Sequence, residues 1–424
     1  MKKILALLLA LVMVFALVAC GEKAPVEEPV VEAPVEEQVE EPVVEEPVEE
    51  PVEEPALKIG AILVHDENSG YDMAHIEGLN GAAEALGIAA DQIIYKYNIP
   101  EDESCYDAAI DLAEQGCTII FSDSYGHQSF MMQAASEYPE ITFVACTGDT
   151  AALEGLDNVV NMFPYTFQSR YVSGVVAGMK LKELLDAGTV TDPYVGYVGA
   201  FPYAEVVSGY TAFFLGIQSI VPEAHMDVQF TNSWYDPVAE AETANALMAR
   251  GCVIIGQHAD STGAPSAVQA AKDNGQVVYS VGYNIDMLSV APTAALTSAQ
   301  NNWSALYEIA LAKHMAGEQV PVDIAVGAAE DGVMISTLGP ECAEGTQEAV
   351  DQVWAALKDG SLSVFDTANF TVGGETVTTY LALDTDGDWV GDTGEAIVDG
   401  IFEESVLRSA PYFALDVDGI TKLN

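Results

Sequence analysis

Cationic side chains are scarce. The 424 residues hold 14 Lys and Arg against 66 Asp and Glu, a formal net charge of −52. Nucleic-acid phosphates need Lys and Arg to displace their counterions, so this balance argues against nucleic acid as a partner. It argues equally against an anionic substrate drawn in by a long-range field, but not against a neutral or cationic ligand. Paired cysteines are missing as well. The six are Cys20, Cys105, Cys117, Cys146, Cys252 and Cys342, without CxxC spacing and odd in number once Cys20 is set aside. That leaves no disulfide framework and no thiolate metal pattern. Cys117, Cys146 and Cys252 lie in or beside apolar runs, where buried thiols belong. No GxxxxGK[ST] phosphate loop and no GxSxG nucleophile elbow occurs. Ser124 and His127 are close in sequence, and His258 with Asp260 imitates part of a triad, yet no serine or cysteine is placed to complete one. We expect no enzyme and no cofactor.

Long apolar runs are missing except at the amino end. Lys2 and Lys3 precede an apolar core over residues 4–16, too short for a confident membrane span and typical of a signal peptide. Leu17-Val18-Ala19-Cys20, followed by Gly21, resembles a bacterial lipobox. Cleavage and acylation at Cys20 would place the protein on the outer face of the cell membrane. An uncleaved anchor or plain secretion is the alternative. Residues 21–56 then mix Pro, Val and Glu without Arg, and without Lys beyond Lys23. Glutamates repel one another and proline removes donors, so an extended, solvated tether is expected. Stretched, it reaches on the order of 90 Å at about 3 Å per residue. It accounts for only about a quarter of the net charge.

Residues 57–424 exceed one usual core and suggest two lobes. They alternate short apolar runs with helical patterns. Residues 57–64 (LKIGAILV) read as a buried parallel strand, followed by a helix to Leu86 and a Gly87 stop. Further strands are expected near 93–97, 118–122, 141–146 and 159–163. A long helix over 167–185 follows, with Ser173, Gly174, Ala177 and Gly178 at close-packing positions. The pattern restarts at Tyr194. The clearest unit is 226–261. A strand to Phe230 ends in Asn232-Ser233-Trp234-Tyr235-Asp236-Pro237, a helix runs to Arg250, and a strand over 252–256 ends in Gln257-His258-Ala259-Asp260-Ser261. Parallel strands in such a unit put both loops on one sheet edge. Trp234 should therefore lie beside His258 and Asp260, at the edge where open α/β sheets bind ligands. The expected fold is α/β, two doubly wound lobes with a hinge. We place the first lobe at 57–192, completed by about 297–320, and the second at 193–296, completed by about 321–360. Chain crossings are expected near Asp192, near 288–297 and near Val320. A strand-rich extension occupies 361–424.

The segments NSGYDMAH, FSDSYGHQ, RYVSGVVAG, VGYVGAF, SWYDPVAEAETANALMARGC, GQHADSTGAP and VGYNIDM, in this order, resemble the basic membrane protein family of substrate-binding lipoproteins. The resemblance covers residues 57 to about 360, and GIFEESVLRSAPYFALDVDGI resembles the family's closing segment. It implies a type I periplasmic-binding-protein-like build and a monomer. It also implies a purine nucleoside or nucleobase held between the lobes, and an ABC permease and ATPase as partners. Carried over, it points to Asn68, Ser69, Tyr71 and His75 after the first strand, and Ser124, Tyr125 and His127 after the third. From the second lobe come Trp234, His258, Asp260 and Ser261, then Tyr283, Asp286 and Trp303. Asp260 and Asp286 are the positions that could hold ribose hydroxyls.

Structural alternatives stand beside these assignments. Asp260 or Ser261 could be a helix N-cap, Asp286 could cap a turn, and Asn68 could only shape one. Trp234 could pack under its own helix, His258 could be a satisfied histidine, and the tyrosines and Trp303 could be lobe packing. A sugar or autoinducer receptor, a surface ligand sensor and a nucleoside-cleaving enzyme are the competing functions. One motif lies outside this scheme. Asp384, Asp386, Asp388, Asp392 and Glu395 stand at positions 1, 3, 5, 9 and 12 of a calcium-loop spacing, but Trp389 takes the place of the turn glycine. An acidic hairpin tip is the alternative there.

Overall fold

A computed structural model describes residues 57–151, 155–382 and 394–424. Two sheets carry the fold. The first run of strands is β1 (Ile59–Ile62), β2 (Ile93–Lys96), β3 (Ile119–Ser122), β4 (Thr142–Ala145) and β5 (Val159–Met162). The second is β6 (Tyr194–Gly199), β7 (His225–Phe230), β8 (Ile254–Gln257), β9 (Tyr279–Tyr283) and β10 (Ala295–Asn301). Three short strands return to these sheets. β11 (Asp323–Ile324) joins the first; β12 (Val333–Ile335) and β15 (Ile420–Lys422) join the second. The orders are β11-β5-β4-β3-β1-β2 and β12-β10-β9-β8-β6-β7-β15. Every pairing is parallel except β12 with β10. Parallel order requires a crossover after each strand, so each sheet is covered by helices and its central strands are buried. All four residues of β1, β3 and β8 are buried. Order and direction together make two doubly wound lobes.

The helices are α1 (Gly70–Leu86), α2 (Glu103–Glu114), α3 (Gln128–Glu137), α4 (Thr166–Asp186), α5 (Ala204–Gln218), α6 (Pro237–Ala249), α7 (Gly263–Asp273), α8 (Trp303–Met315) and α9 (Thr346–Lys358). Their ends follow local chemistry. Ser69 caps α1 by accepting from the Asp72 amide, and Gly87 ends it at a φ of 71°. Asp236 caps α6 through the Val238 and Ala239 amides, with Pro237 first in the helix.

The chain changes lobes at positions other than the expected ones. Helix α4 packs in the core of the second lobe, through Val172, Val175, Val176 and Leu181. The first crossing therefore lies between Met162 and Thr166, not near Asp192. The cause is the small-residue stripe. A Cβ on Gly174 would lie 2.1 Å from the Phe213 carbonyl oxygen of α5, so α4 and α5 approach backbone to backbone. Helix α8 packs against α1 in the first lobe, with Trp303, Leu306 and Tyr307 in its core. The second crossing is thus at 301–303, past the expected 288–297. The third lies between β11 and β12, at 325–332, past Val320.

Residues 361–424 are less regular than expected. Their described strands are β15 and a two-stranded ribbon of β13 (Ile397–Val398) and β14 (Ile401–Phe402). An aromatic cluster replaces sheet pairing: Phe365 stacks on Phe413 at 4.3 Å between ring centroids, and Phe402 lies 4.7 Å from Phe413. The segment joins the second lobe's core. Cys20, the tether and loop residues Asp384, Asp386, Asp388 and Asp392 lie outside the described residues. Glu395 is described, and its carboxylate accepts the Tyr380 and Ile397 amides at 2.7 and 3.0 Å. Among the described residues no helix is long and apolar enough to cross a membrane. No group of three or more His, Cys, Asp or Glu among them could hold a metal ion.

Candidate functional site

The carboxyl edges of the two sheets face each other across a cavity. Val64, Tyr71, Asp123, Ser124, Tyr125 and Thr147 line it from the first lobe; Glu205, Trp234, His258, Asp260 and Tyr283 line it from the second. All but Tyr283, the last residue of β9, come from a loop or helix start that follows a parallel strand, as the topology requires. The loops after β7 and β8 meet directly, with the Asp260 amide donating to the Trp234 carbonyl at 2.8 Å. The lobes touch at the rim. The Gly70 amide donates to the Asp260 carbonyl at 3.2 Å, and the rings of His65 and Tyr235 lie 5.4 Å apart.

The cavity is acidic in composition and starved of charge compensation. Burial, followed by the neighbouring Asp72 charge, pushes the Asp123 carboxyl well above the usual carboxylate range. Burial also opposes charge on Asp72, but hydrogen bonds from His65, Asp123 and Ser69 outweigh it and keep Asp72 below that range. Of the two carboxyls, burial favours the proton on Asp123. Burial raises Asp260 likewise, with Glu240, Asp72 and Glu205 adding repulsion. Its Oδ1 accepts the Asn284 amide nitrogen at 2.8 Å. His258 is lowered to about 4 by burial and by Arg170, so its ring is neutral and donates from Nε2 to Glu205 at 3.1 Å. Behind it the buried Arg170 guanidinium sits 3.6 Å from the Tyr283 ring centroid and donates to the Gln257 carbonyl at 2.6 Å. Burial thus favours the uncharged form of both Asp123 and Asp260, in which a carboxyl offers one donor and one acceptor.

A family model for ABC transporter substrate-binding proteins of the PnrA-like Bmp type matches residues 63–361. The chain belongs to this family. A purine-binding protein of Brucella abortus is 32% identical over 252 residues, covering 59% of this chain and 67% of that one. A putative ABC transporter glucose-binding protein of Haloferax volcanii is 34% identical over 244 residues, 57% of each chain. The chain thus spans little more than half the length of that second relative. Among solved structures, an ABC transporter solute-binding protein of Aeropyrum pernix superposes with a TM-score of 0.61. It has 16% identity and covers 75% of this chain and 94% of that one. This likeness carries the fold alone.

Within this Bmp-family frame, seven expected site residues line the cavity: Tyr71, Ser124, Tyr125, Trp234, His258, Asp260 and Tyr283. The others stand outside it. Asn68 is exposed and bonded to Asp66. Ser69 caps α1, and Ser261 accepts the Gly263 amide at 3.0 Å. Asp286 caps the short turn Met287–Ser289 through the Leu288 amide. His75 is buried, lowered to about 3 by desolvation, and bonded to the Tyr307 hydroxyl at 2.7 Å. Trp303 stacks on His75 at 3.8 Å inside the first lobe. His127 is likewise buried, with Nε2 on the Ile99 carbonyl at 2.8 Å. Asp123, Thr147, Glu205 and Val64 line the cavity without having been singled out. Asp123 is the first residue past β3, so position alone could have found it. Glu205 sits in the first turn of α5 and reaches the cavity from the side, which no sequence pattern signals.

Proposed function

We propose that the protein captures a purine base or purine nucleoside in the interlobe cavity and delivers it to an ABC permease and ATPase. Acyl chains on Cys20 would hold it at the outer face of the membrane, with residues 21–56 as spacer. The observation that carries this reading is the pairing of aromatic faces with buried carboxyls in one cavity. Trp234 and Tyr71 supply flat apolar surface, which suits a planar ring. A protonated carboxyl presents a donor beside an acceptor, the same pattern a carboxamide uses to read the ring nitrogen and amino group of adenine. The Brucella relative's name agrees with this class of ligand.

A sugar is the second reading, favoured by the name of the Haloferax relative. Stacking aromatics and carboxyls suit hydroxylated rings as well. Thermal unfolding of residues 57–424 against adenine, guanine, adenosine, guanosine, inosine, ribose and glucose separates the two. A ligand that binds only the folded state stabilises it by about 2.7 kcal/mol at roughly a hundredfold over its dissociation constant. Stabilisation by one purine, lost in Trp234→Ala and Asp260→Ala, is the expected result. Stabilisation by glucose alone, with no purine effective, would overturn the purine reading.

A further inference from the structure

A buried cation stands behind the cavity wall of the second lobe. Arg170, in the second turn of α4, is 2% exposed and does not line the cavity. Burying a guanidinium without a carboxylate partner is costly, so its contacts are informative. Nη1 donates to the Gln257 carbonyl, in the strand that leads to His258, at 2.6 Å. The guanidinium carbon lies 3.6 Å from the centroid of the Tyr283 ring. Nε and Nη2 have no hydrogen-bond partner among the described residues. Nε and the His258 ring come together over Gly209 of α5, where a Cβ would lie 3.5 Å from Arg170 Nε and 2.9 Å from His258 Nδ1. That Nδ1 also lacks a partner among the described residues, while Nε2 meets Glu205 at 3.1 Å. Arg170 thus stands behind Tyr283 and His258, and those two line the cavity with Glu205.

We infer that Arg170 is a positioning residue for ligand binding: from behind the wall it seats the Tyr283 ring and fixes the His258 ring so that Nε2 donates to Glu205. It touches no ligand itself and acts through these two side chains. The inference rests on the inner cavity being the ligand site, as proposed above. A guanidinium brings two things that an apolar side chain does not. It is a flat cation against an aromatic face, which the compact ammonium of lysine does not reproduce. Its charge lies on the Nδ1 side of His258, which opposes a proton there and leaves the hydrogen on Nε2, where Glu205 accepts it. The other titratable groups about this ring are Tyr283 of β9, 5.0 Å away between ring centroids, Tyr197 of β6, which shares the Arg170 and Glu205 charges, and Asp260 of the same loop. Among the charges on described residues, Arg170 opposes an imidazolium and Glu205 favours it, while burial acts with Arg170.

Nitrogen NMR of the His258 ring, assigned by its absence in His258→Gln, reads the arrangement directly. In the wild type the ring is expected as the Nε2–H tautomer, unprotonated down to about pH 5. Arg170→Met removes the charge and keeps an apolar stem. It should bring the ring into titration between about pH 5 and 8, and weaken adenine by about tenfold in calorimetry at neutral pH. Arg170→Lys keeps the charge without the plane, so the ring should behave as in the wild type while only part of the affinity returns. A side chain that merely packs would lose affinity without moving the His258 titration, and that result would overturn the inference. Unchanged affinity in Arg170→Met would do the same. So would a wild-type ring protonated at Nδ1, an observation that needs no variant to fold. If the wild type binds glucose and not adenine, the purine reading falls. The same loss of about tenfold, measured with glucose in Arg170→Met, would then support the role of Arg170, and its absence would overturn it.

Discussion

The backbone amide of Gly70, first residue of α1, donates to the carbonyl of Asp260 in the opposite lobe at 3.2 Å. A side chain there would crowd that approach. A Cβ at position 70 would lie 3.1 Å from the Asp260 oxygen and 3.4 Å from Ile285. Valine adds two branches to that contact. Gly70→Val should hold the lobes apart and weaken ligand binding at least tenfold, about 1.4 kcal/mol. The unliganded melting temperature should change little. Wild-type affinity in this variant would show that the contact is not needed for closure.

Phosphorylated ligands should be rejected. No Lys or Arg lines the inner cavity, and the nearby Arg408 is already paired with Asp149. Adenosine monophosphate is expected to bind at least a hundredfold more weakly than adenosine, about 2.7 kcal/mol. Competition titration measures the difference; comparable affinities would contradict the charge argument.

Glu404 gives a pH signature. Burial pushes its carboxyl up to about 7, against an ordinary value near 4.5. A carboxyl raised on folding binds its proton more tightly in the folded state, so its contribution is complete below about pH 4.5 and is lost as pH rises toward 7. Glu404→Gln removes that loss. The stability difference, variant minus wild type, should therefore grow between pH 4.5 and 7 by roughly 1 kcal/mol per unit at most. Histidines 75 and 258 titrate in the opposite sense over part of this range, but they cancel in the difference. Urea unfolding at a series of pH values reads it; a flat difference would mean Glu404 is charged in the folded protein.

The contact between α4 and α5 should tolerate no added side chain. Gly174 and Gly216 face each other, and a Cβ on Gly216 would lie 2.2 Å from the Tyr171 carbonyl oxygen. Gly174→Ala forces the helices apart and is expected to cost about 2–3 kcal/mol or prevent folding. A loss below 0.5 kcal/mol on chemical denaturation would show that the pair separates freely.

The alternation of strand and helix was legible because each buried parallel strand is a short apolar run closed by a polar loop. The neighbourhood of Trp234, His258 and Asp260 followed from topology alone. What escaped was decided by side-chain depth. Asn68 and Tyr71 stand on the same loop and turn, yet Asn68 points to solvent and Tyr71 into the cavity. His75 and Trp303 looked like site residues but stack on each other inside the first lobe. The crossings escaped because α4 carries the same apolar pattern whichever sheet it covers; only its fit against α5 decides.

The partner of β7 is β15, and Asn424 brackets Phe230 through both its amide and its carbonyl. These residues are 194 positions apart. At about 5–20 residues per second, a ribosome delivers the second roughly 10–40 s after the first. Through that interval the edge of the second sheet is an open template for any extended chain. The sheet of the second lobe therefore stays incomplete until residues 420–424 have been made.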